Sequence, residues 1–312
     1  MITHGIINLL KPAGMTSHDC VYQLRKITGI KRIGHTGTLD PMAAGVLPLC
    51  IGCATRIIDY LDMDKKVYRC EMILGVTTDT WDIWGSIIDD KRKVMVIPGT
   101  EELTDQFKKF LGRIYQTPPS YSSVRVGGKR LYEYAREGIE IEAKKRPVVV
   151  YDISVIDYDK ITGRIVFDLT CSKGTYVRSI CHDIGKTFGC GGSMSFLLRM
   201  ASGDFTLKNS VPLEHLQDKW RNYLLPVDYP LAKLGKLKIN IDRMKWFCDG
   251  GYLRDTEAEI VQMPSVGKDI EHIRCREGLR DSYRVYSEEK FLGVAIFDME
   301  KNIFKADKVL CR

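Results

Sequence analysis

Gly34-His35-Thr36-Gly37-Thr38-Leu39-Asp40-Pro41 is the stretch on which the reading of this 312-residue chain turns. Gly34, Gly37 and, just beyond, Gly45 surround a single carboxylate, Asp40. Glycines here allow positive φ and the close approach of a ligand. Pro41 pushes the residue before it out of the helical region, so Asp40 is expected in an extended or turn geometry. The run that follows, Val46-Leu47-Pro48-Leu49-Cys50-Ile51, is apolar and reads as buried. Asp40 is thus expected on a stiff loop at the mouth of a packed segment. From these residues alone it is either a turn aspartate, a common use of Asp, or a carboxylate placed for chemistry.

Working outward, Ser17 is expected to cap a helix carrying Val21, Leu24 and Ile27. Tyr68, Cys70, Met72, Leu74 and Val76 alternate with Arg69 and Glu71, the pattern of a half-exposed strand. Residues 101–111 read as a helix with Leu103, Phe107, Phe110 and Leu111 on one face. Ile165, Phe167, Leu169 and Cys171 alternate with polar residues as a second strand. Lys173-Gly174 breaks it, and Val177, Ile180, Cys181 and Ile184 then recur at helical spacing. Such a mixture, without repeated strand–helix–strand units, argues an α+β fold. A boundary is expected near 226–236. Short strands follow it, among them Tyr283-Arg284-Val285-Tyr286 and Phe291-Leu292-Gly293-Val294-Ala295-Ile296.

The composition is that of a soluble globular protein, 44% hydrophobic and 28% charged. A net charge of +7 permits a polyanionic partner without requiring one. No apolar run approaches the roughly 18 residues of a membrane span, and the N-terminal Ile6-Ile7-Asn8-Leu9-Leu10-Lys11 lacks the shape of a secretory signal. A cytoplasmic protein is expected. Of ten cysteines, Cys50 and Cys53 form a Cys-x-x-Cys pair, but no second pair or paired histidines stand at zinc-site spacing. Most cysteines read as buried, reduced thiols, and no metal is expected. Gly127-Gly128-Lys129-Arg130-Leu131-Tyr132-Glu133-Tyr134-Ala135-Arg136 interleaves basic and aromatic residues. That suits an RNA-gripping element, and equally a solvated helix with Leu131 and Tyr134 turned inward.

The stretch 34–41, continued by Ala44-Gly45-Val46-Leu47-Pro48 and Ala54-Thr55-Arg56, resembles the catalytic motif of the bacterial TruB family of tRNA pseudouridine synthases. Lys11-Pro12-Ala13-Gly14-Met15-Thr16-Ser17 is similar to the family's N-terminal motif. Tyr68, Gly75 and Thr78-Asp79-Thr80-Trp81-Asp82-Ile83-Trp84-Gly85 resemble its second motif. Gln116-Thr117-Pro118-Pro119-Ser120-Tyr121-Ser122-Ser123 and Cys171-Ser172-Lys173-Gly174-Thr175-Tyr176-Val177-Arg178 resemble two more, all in the family's order. The resemblance implies a pseudouridine synthase fold: a central mixed, largely antiparallel sheet flanked by helices, over residues 1–230. It also implies an RNA-binding thumb insertion at about 124–146 and a small β-rich PUA-like RNA-binding domain over 231–312.

The reaction so implied turns uridine 55 of the tRNA T-loop into pseudouridine. The N1–C1′ bond breaks, the uracil turns over, and C5 joins C1′. No redox change occurs, no group is lost, and no cofactor is needed. The target nucleotide must first be flipped out of its stack. Asp40 is the expected essential carboxylate, acting as nucleophile or as the base that starts an elimination. Arg178 falls in the first turn of its helix, where the dipole disfavours a cation, so an anionic partner is expected; the resemblance makes that partner Asp40. It also implies that Tyr68 stacks on the flipped uracil and is a candidate for the C5 proton step. Leu197 would contact the base from the other side, and His35 would fill space the nucleotide vacates. Lys11 and Asp82 would help hold RNA or the active-site loop. Lys129, Arg130 and Arg136 would grip phosphates of the T-arm stem-loop. Leu198 departs from the pattern, standing where many members carry a second basic residue. No obligate protein partner is implied, and a monomer is expected. Two other readings stay open: a non-catalytic RNA-binding or RNA-chaperone protein on the same fold, and a guide-RNA-dependent pseudouridine synthase.

Overall fold

The computed structural model describes residues 4–61, 65–265 and 281–310. The strand Lys65–Leu74 buries Tyr68, Cys70, Met72 and Leu74 on one face, as their alternation predicts. It pairs antiparallel with Arg164–Ser172 on one side and Gly192–Ser202 on the other. Around this centre runs a ten-stranded sheet. Beyond Gly192–Ser202 come Ala44–Ile51, Gly5–Lys11 and Val211–Pro212; beyond Arg164–Ser172 come Arg146–Asp159 and Gly112–Gln116. Two of its pairings are parallel, Gly5–Lys11 with Val211–Pro212 and Ala44–Ile51 with Gly192–Ser202. The sheet is therefore mixed and largely antiparallel. The strand expected to reach Val76 stops at Leu74, because Gly75 takes φ +83° and turns the chain into the small hairpin of Val76–Thr78 and Ile87–Asp90.

Two helices set the site. In Ser17–Thr28 the cap is Thr16, not Ser17. Thr16 Oγ1 accepts the Asp19 N–H at 3.0 Å and the Asp19 carboxylate accepts the Thr16 N–H at 2.8 Å. Both hydroxyls could cap, but only Thr16 has an acidic residue three positions on to close the reciprocal pair. The helix Val177–Thr187 lays Ile180, Cys181 and Ile184 on the sheet, in one core with Cys70, Met72 and Leu169. A further helix, Thr100–Lys108, buries Leu103 and Phe107 but ends before Leu111, which is exposed. Backbone bonds from Phe110 and Leu111 to Phe107 and Lys108 tighten that end into a turn.

Residues 124–146 hold a two-residue hairpin, Arg125–Val126 against Lys129–Arg130, and the helix Leu131–Arg136. Its apolar side is Val124, Leu131 and Ala143, packed by Ile141 and Tyr176. A second sheet has six strands in the order Tyr252–Arg254, Ile303–Val309, Lys290–Asp298, Ser282–Ser287, Gly235–Ile239, Ala258–Gln262. Both C-terminal segments read as strands lie in it. Val294, Leu310, Leu231 and Leu234 pack on Ile6, Val46, Ala54 and Ile57, which joins the two sheets. Arg56 Nη1 and the Tyr60 hydroxyl extend the contact to the Val309 carbonyl and the Asp307 carboxylate. Among the described residues no helix is long and apolar enough to cross a membrane. Cys50 lies wholly buried in Ala44–Ile51, and burial pushes its thiol up to about 12. It is a core thiol, not a reactive one.

Of the three glycines around Asp40, only Gly45 takes positive φ, at +115°. Gly45 pairs with Arg199 of the neighbouring strand so closely that a Cβ would stand 2.2 Å from the Arg199 carbonyl oxygen. Gly45→Ala should therefore lower stability by about 3 kcal/mol or more, summing backbone strain and a clash with backbone that cannot move aside. An unchanged midpoint in urea unfolding would show that this approach is not needed.

Candidate active site

The loop bearing Asp40 is held by backbone contacts on both sides. Before it, the Ser17 hydroxyl accepts the Leu39 N–H at 2.9 Å and donates to the Leu39 carbonyl at 3.2 Å. After it, the Pro41 carbonyl accepts the Gly14 N–H and the Lys11 ammonium, both at 2.9 Å. Lys11 is fully buried and donates also to the carbonyls of Pro12 and Met15, at 2.8 and 2.5 Å. Residues 11–17 are thus a cradle for the loop.

The opposite wall is Arg199, whose long side chain is fully buried. Its Nε donates to the Val46 carbonyl at 2.7 Å, Nη2 to Gly37 at 3.2 Å and Nη1 to Thr38 at 3.4 Å. Gly37 takes no positive φ, and a Cβ there would meet Arg199 Nη1 at 3.7 Å, an ordinary contact, and the flexible end of Lys66 at 3.2 Å, so neither observation demands glycine at this position. Neither Arg199 nor Ser17 in this role was read from the sequence. A signal existed for Arg199, since Leu197 and Arg199 share a face of one strand by the period of two.

Asp40 meets Arg178 as the resemblance implied. Arg178 Nη2 donates to Asp40 Oδ1 at 3.1 Å, and Nε lies 2.9 Å from Oδ2. The guanidinium is nearly sealed, 5% exposed, against 35% for the Asp40 carboxylate. Nη1 donates to the Thr80 carbonyl at 3.1 Å and stands 3.6 Å from Asp82 Oδ2, while Nη2 also donates to the Tyr121 carbonyl at 3.0 Å. These acceptors offset the unfavourable placement of a cation at a helix start. Gln116 fixes that start: its side-chain amide exchanges two hydrogen bonds with the backbone of Tyr176, at 3.0 and 3.2 Å. The Ser179 hydroxyl donates to the Thr117 carbonyl at 2.9 Å. Residues 116–123 therefore serve to aim Arg178.

Above the pair opens a cavity of about 980 Å³ lined by Asp40, Arg178, Tyr68, Leu197 and His35. Its rim carries Lys66 and, from the segment 124–146, Arg125, Arg130, Tyr132 and Arg136. Lys129 is not among them: its ammonium is 2.5 Å from both oxygens of Glu137 and 4.9 Å over the Tyr134 ring. Lys11 and Asp82 do not line the cavity either. The first lies under the loop, and the second stands behind Arg178 with its carboxylate bonded to the Thr80 hydroxyl at 2.7 Å.

Burial pushes the Tyr68 phenol up to about 12, with Arg199 beside it pulling the other way. Burial raises Asp82 above the usual carboxylate range, opposed by the Thr80 hydroxyl and by Arg178. Burial, then Arg199, His18 and Lys66, holds His35 below its ordinary value, which favours the neutral ring. Among the described residues no group of three or more His, Cys, Asp or Glu side chains could hold a metal ion.

Burial lowers Lys11 from 10.5 to about 8. Between those values the unfolded chain keeps a proton that the folded chain releases. This group therefore makes stability rise with pH across that window, and below about 8 the buried charge weighs fully against folding. Unfolding free energies measured from pH 7 to 10 should show this rise in the wild type and lack it in Lys11→Met. Parallel profiles for the two proteins would rule it out.

Comparison with known proteins agrees with this geometry. The profile described as "TruB family pseudouridylate synthase (N terminal domain)" matches residues 25–177, and that described as "tRNA pseudouridylate synthase B C-terminal domain" matches 178–232. A protein named tRNA pseudouridine synthase B from Alkaliphilus oremlandii is 43% identical, over 98% of this chain and 97% of its own. Its namesake from Clostridioides difficile is 41% identical, over 97% and 98%. Among solved structures, a chain of a Cbf5-Nop10-Gar1 complex superposes with a TM-score of 0.70 at 24% identity, covering 98% of this chain and 84% of that one. A chain of an H/ACA RNP bound to a substrate RNA containing 2′-deoxyuridine gives 0.69 at 22%, covering 99% and 85%; these two show the shared fold. By motif order, fold and similarity along nearly its whole length, the chain belongs to the TruB family of pseudouridylate synthases.

Proposed function

We propose that this chain isomerises uridine 55 in the T-loop of tRNA to pseudouridine, acting alone as a cytoplasmic monomer. The observation that carries the reading is the Asp40 carboxylate, held by Arg178 at the floor of a cavity large enough for a nucleotide. A flipped uridine entering there meets Asp40 beside C1′, the Tyr68 ring on one side and Leu197 on the other. Asp40 breaks the N1–C1′ bond as nucleophile or as base. After the uracil turns, C5 bonds to C1′, the C5 proton leaves and N1 gains one. The Tyr68 hydroxyl, protonated at neutral pH, is the candidate to relay that proton. Arg125, Arg130 and Arg136 on the cavity rim suit phosphates of the stem-loop. We take residues 1–230 as the catalytic unit and 231–312 as a PUA-like RNA-binding one.

A guide-RNA-dependent enzyme on this fold would need its guide for activity. Here the guanidiniums at the rim belong to the chain's own segment 124–146, which favours action without one. The test uses pure protein, an isolated T-arm stem-loop labelled with tritium at C5 of its uridines, EDTA, and neither guide RNA nor partner protein. Tritium release at the position of uridine 55 is expected from the wild type and none from Asp40→Ala, which should still bind the stem-loop. Turnover by Asp40→Ala, or none by the wild type until a guide is added, would reject the assignment. In the same assay Arg178→Lys should be slower by about a hundredfold, because an ammonium cannot hold Asp40, Thr80 and Tyr121 at once. Near-wild-type single-turnover rates would show that charge alone suffices.

A further inference from the structure

Trp81 is the residue of this site that the reading above leaves without a task. Its φ is +62°, a conformation that bulky L-residues seldom adopt. A glycine would take the same turn freely. The turn is nevertheless firmly bonded. The Trp81 N–H donates to the Thr78 carbonyl at 3.3 Å, the Trp81 carbonyl accepts the Met194 N–H at 3.0 Å, and the Thr78 hydroxyl donates to the Asp82 carbonyl at 2.6 Å. The indole lies flat on the imidazole of His182, with ring centroids 4.3 Å apart and planes 12° from parallel. His182 Nδ1 is buried without a hydrogen-bond partner, so this ring is held by its face.

The two ends of this stack bear on one guanidinium. Thr80 and Asp82, the neighbours of Trp81, supply the carbonyl at 3.1 Å and the carboxylate at 3.6 Å that face Arg178 Nη1. His182 follows Arg178 by four residues on the helix Val177–Thr187, one turn along the same face. We propose that Trp81 and His182 are positioning residues for catalysis: their stack locks the turn 80–82 to the helix, so that one edge of Arg178 is gripped and the other is presented to Asp40. The inference rests on the reading of Asp40 as the reacting carboxylate. An observed backbone outlier is its starting point, and the strain is kept because the contact it secures is used.

Four variants test it: His182→Ala, His182→Phe, Trp81→Gly and the double variant Trp81→Gly/His182→Ala. Each is assayed below its melting temperature for single-turnover isomerisation of the T-arm stem-loop and, separately, for stem-loop affinity. His182→Ala and Trp81→Gly should each slow the chemical step about tenfold while affinity stays within about twofold. His182→Phe, which keeps a flat ring, should retain the wild-type rate. The double variant should be no slower than the slower single one, since both remove one contact. Trp81→Gly relieves strain, so it keeps the test informative should His182→Ala fail to fold. A wild-type rate in His182→Ala or Trp81→Gly, an equal loss in His182→Phe, multiplying losses in the double variant, or a loss confined to affinity would each overturn the proposal. A wild type with no turnover would instead overturn the reading of the site, independently of the stack.

Discussion

Two cations sealed from solvent, Lys11 and Arg199, hold the backbone around Asp40, and the rest of the site depends on that constraint. Burying a charge without a counter-ion is costly. Each cation here is met instead by three main-chain carbonyls, of Pro12, Met15 and Pro41 for Lys11 and of Gly37, Thr38 and Val46 for Arg199. Carbonyl dipoles solvate the charge, and in doing so fix the path of the chain from 37 to 46. A loop tied only by neutral hydrogen bonds could trade them for water. One whose carbonyls solvate a buried cation cannot let go without stranding that cation. Stability lost to the buried charges is returned as a carboxylate with little freedom to move.

Electrostatics then separates two jobs. Lys11 and Arg199 donate to backbone, and Arg178 makes the direct ion pair with the Asp40 carboxylate. Because Arg178 also faces Asp82, the three groups together carry one net negative charge. The exposed end of that system is Asp40, at 35%, and its sealed end is Asp82, at 13%. Burial raises the affinity of Asp82 for a proton. Asp40 is the carboxylate of the cluster that faces the cavity, where chemistry can use it.

How far the sequence discloses this depends on the kind of interaction. Strands and helices with a clear apolar period, such as Lys65–Leu74, Arg164–Ser172 and Val177–Thr187, are legible because burial alone selects them. The pairing of Asp40 with Arg178 is half legible: a cation at a helix start demands an anion, but only the family resemblance says which. Ser17 reads as a cap because Ser commonly is one, whereas its hydroxyl is spent on Leu39, 22 residues away. Lys129 reads as an RNA contact because it stands among basic and aromatic residues, and the structure adds an ion pair with Glu137, eight residues on. In both cases the partner of a polar side chain is set by the tertiary fold. Local pattern carries no information about such partners.

The segment 124–146 shows the same limit from the other side. Composition offered a choice between an RNA grip and a solvated helix, and the structure has features of both. Leu131 is buried as a helix on a small core would have it, while Arg130 and Arg136 sit on the cavity rim about the ring of Tyr132, at 5.8 and 5.4 Å. Both guanidiniums lie within cation–π range of the phenol ring, at low cost while the rim is wet. A polyanion arriving at the rim gains by pairing its charge with both guanidiniums and releasing counterions, over an active-site carboxylate that would otherwise repel it. Rim and floor are thus complementary: cations at the edge offset the charge that Arg178 leaves standing on Asp40 below.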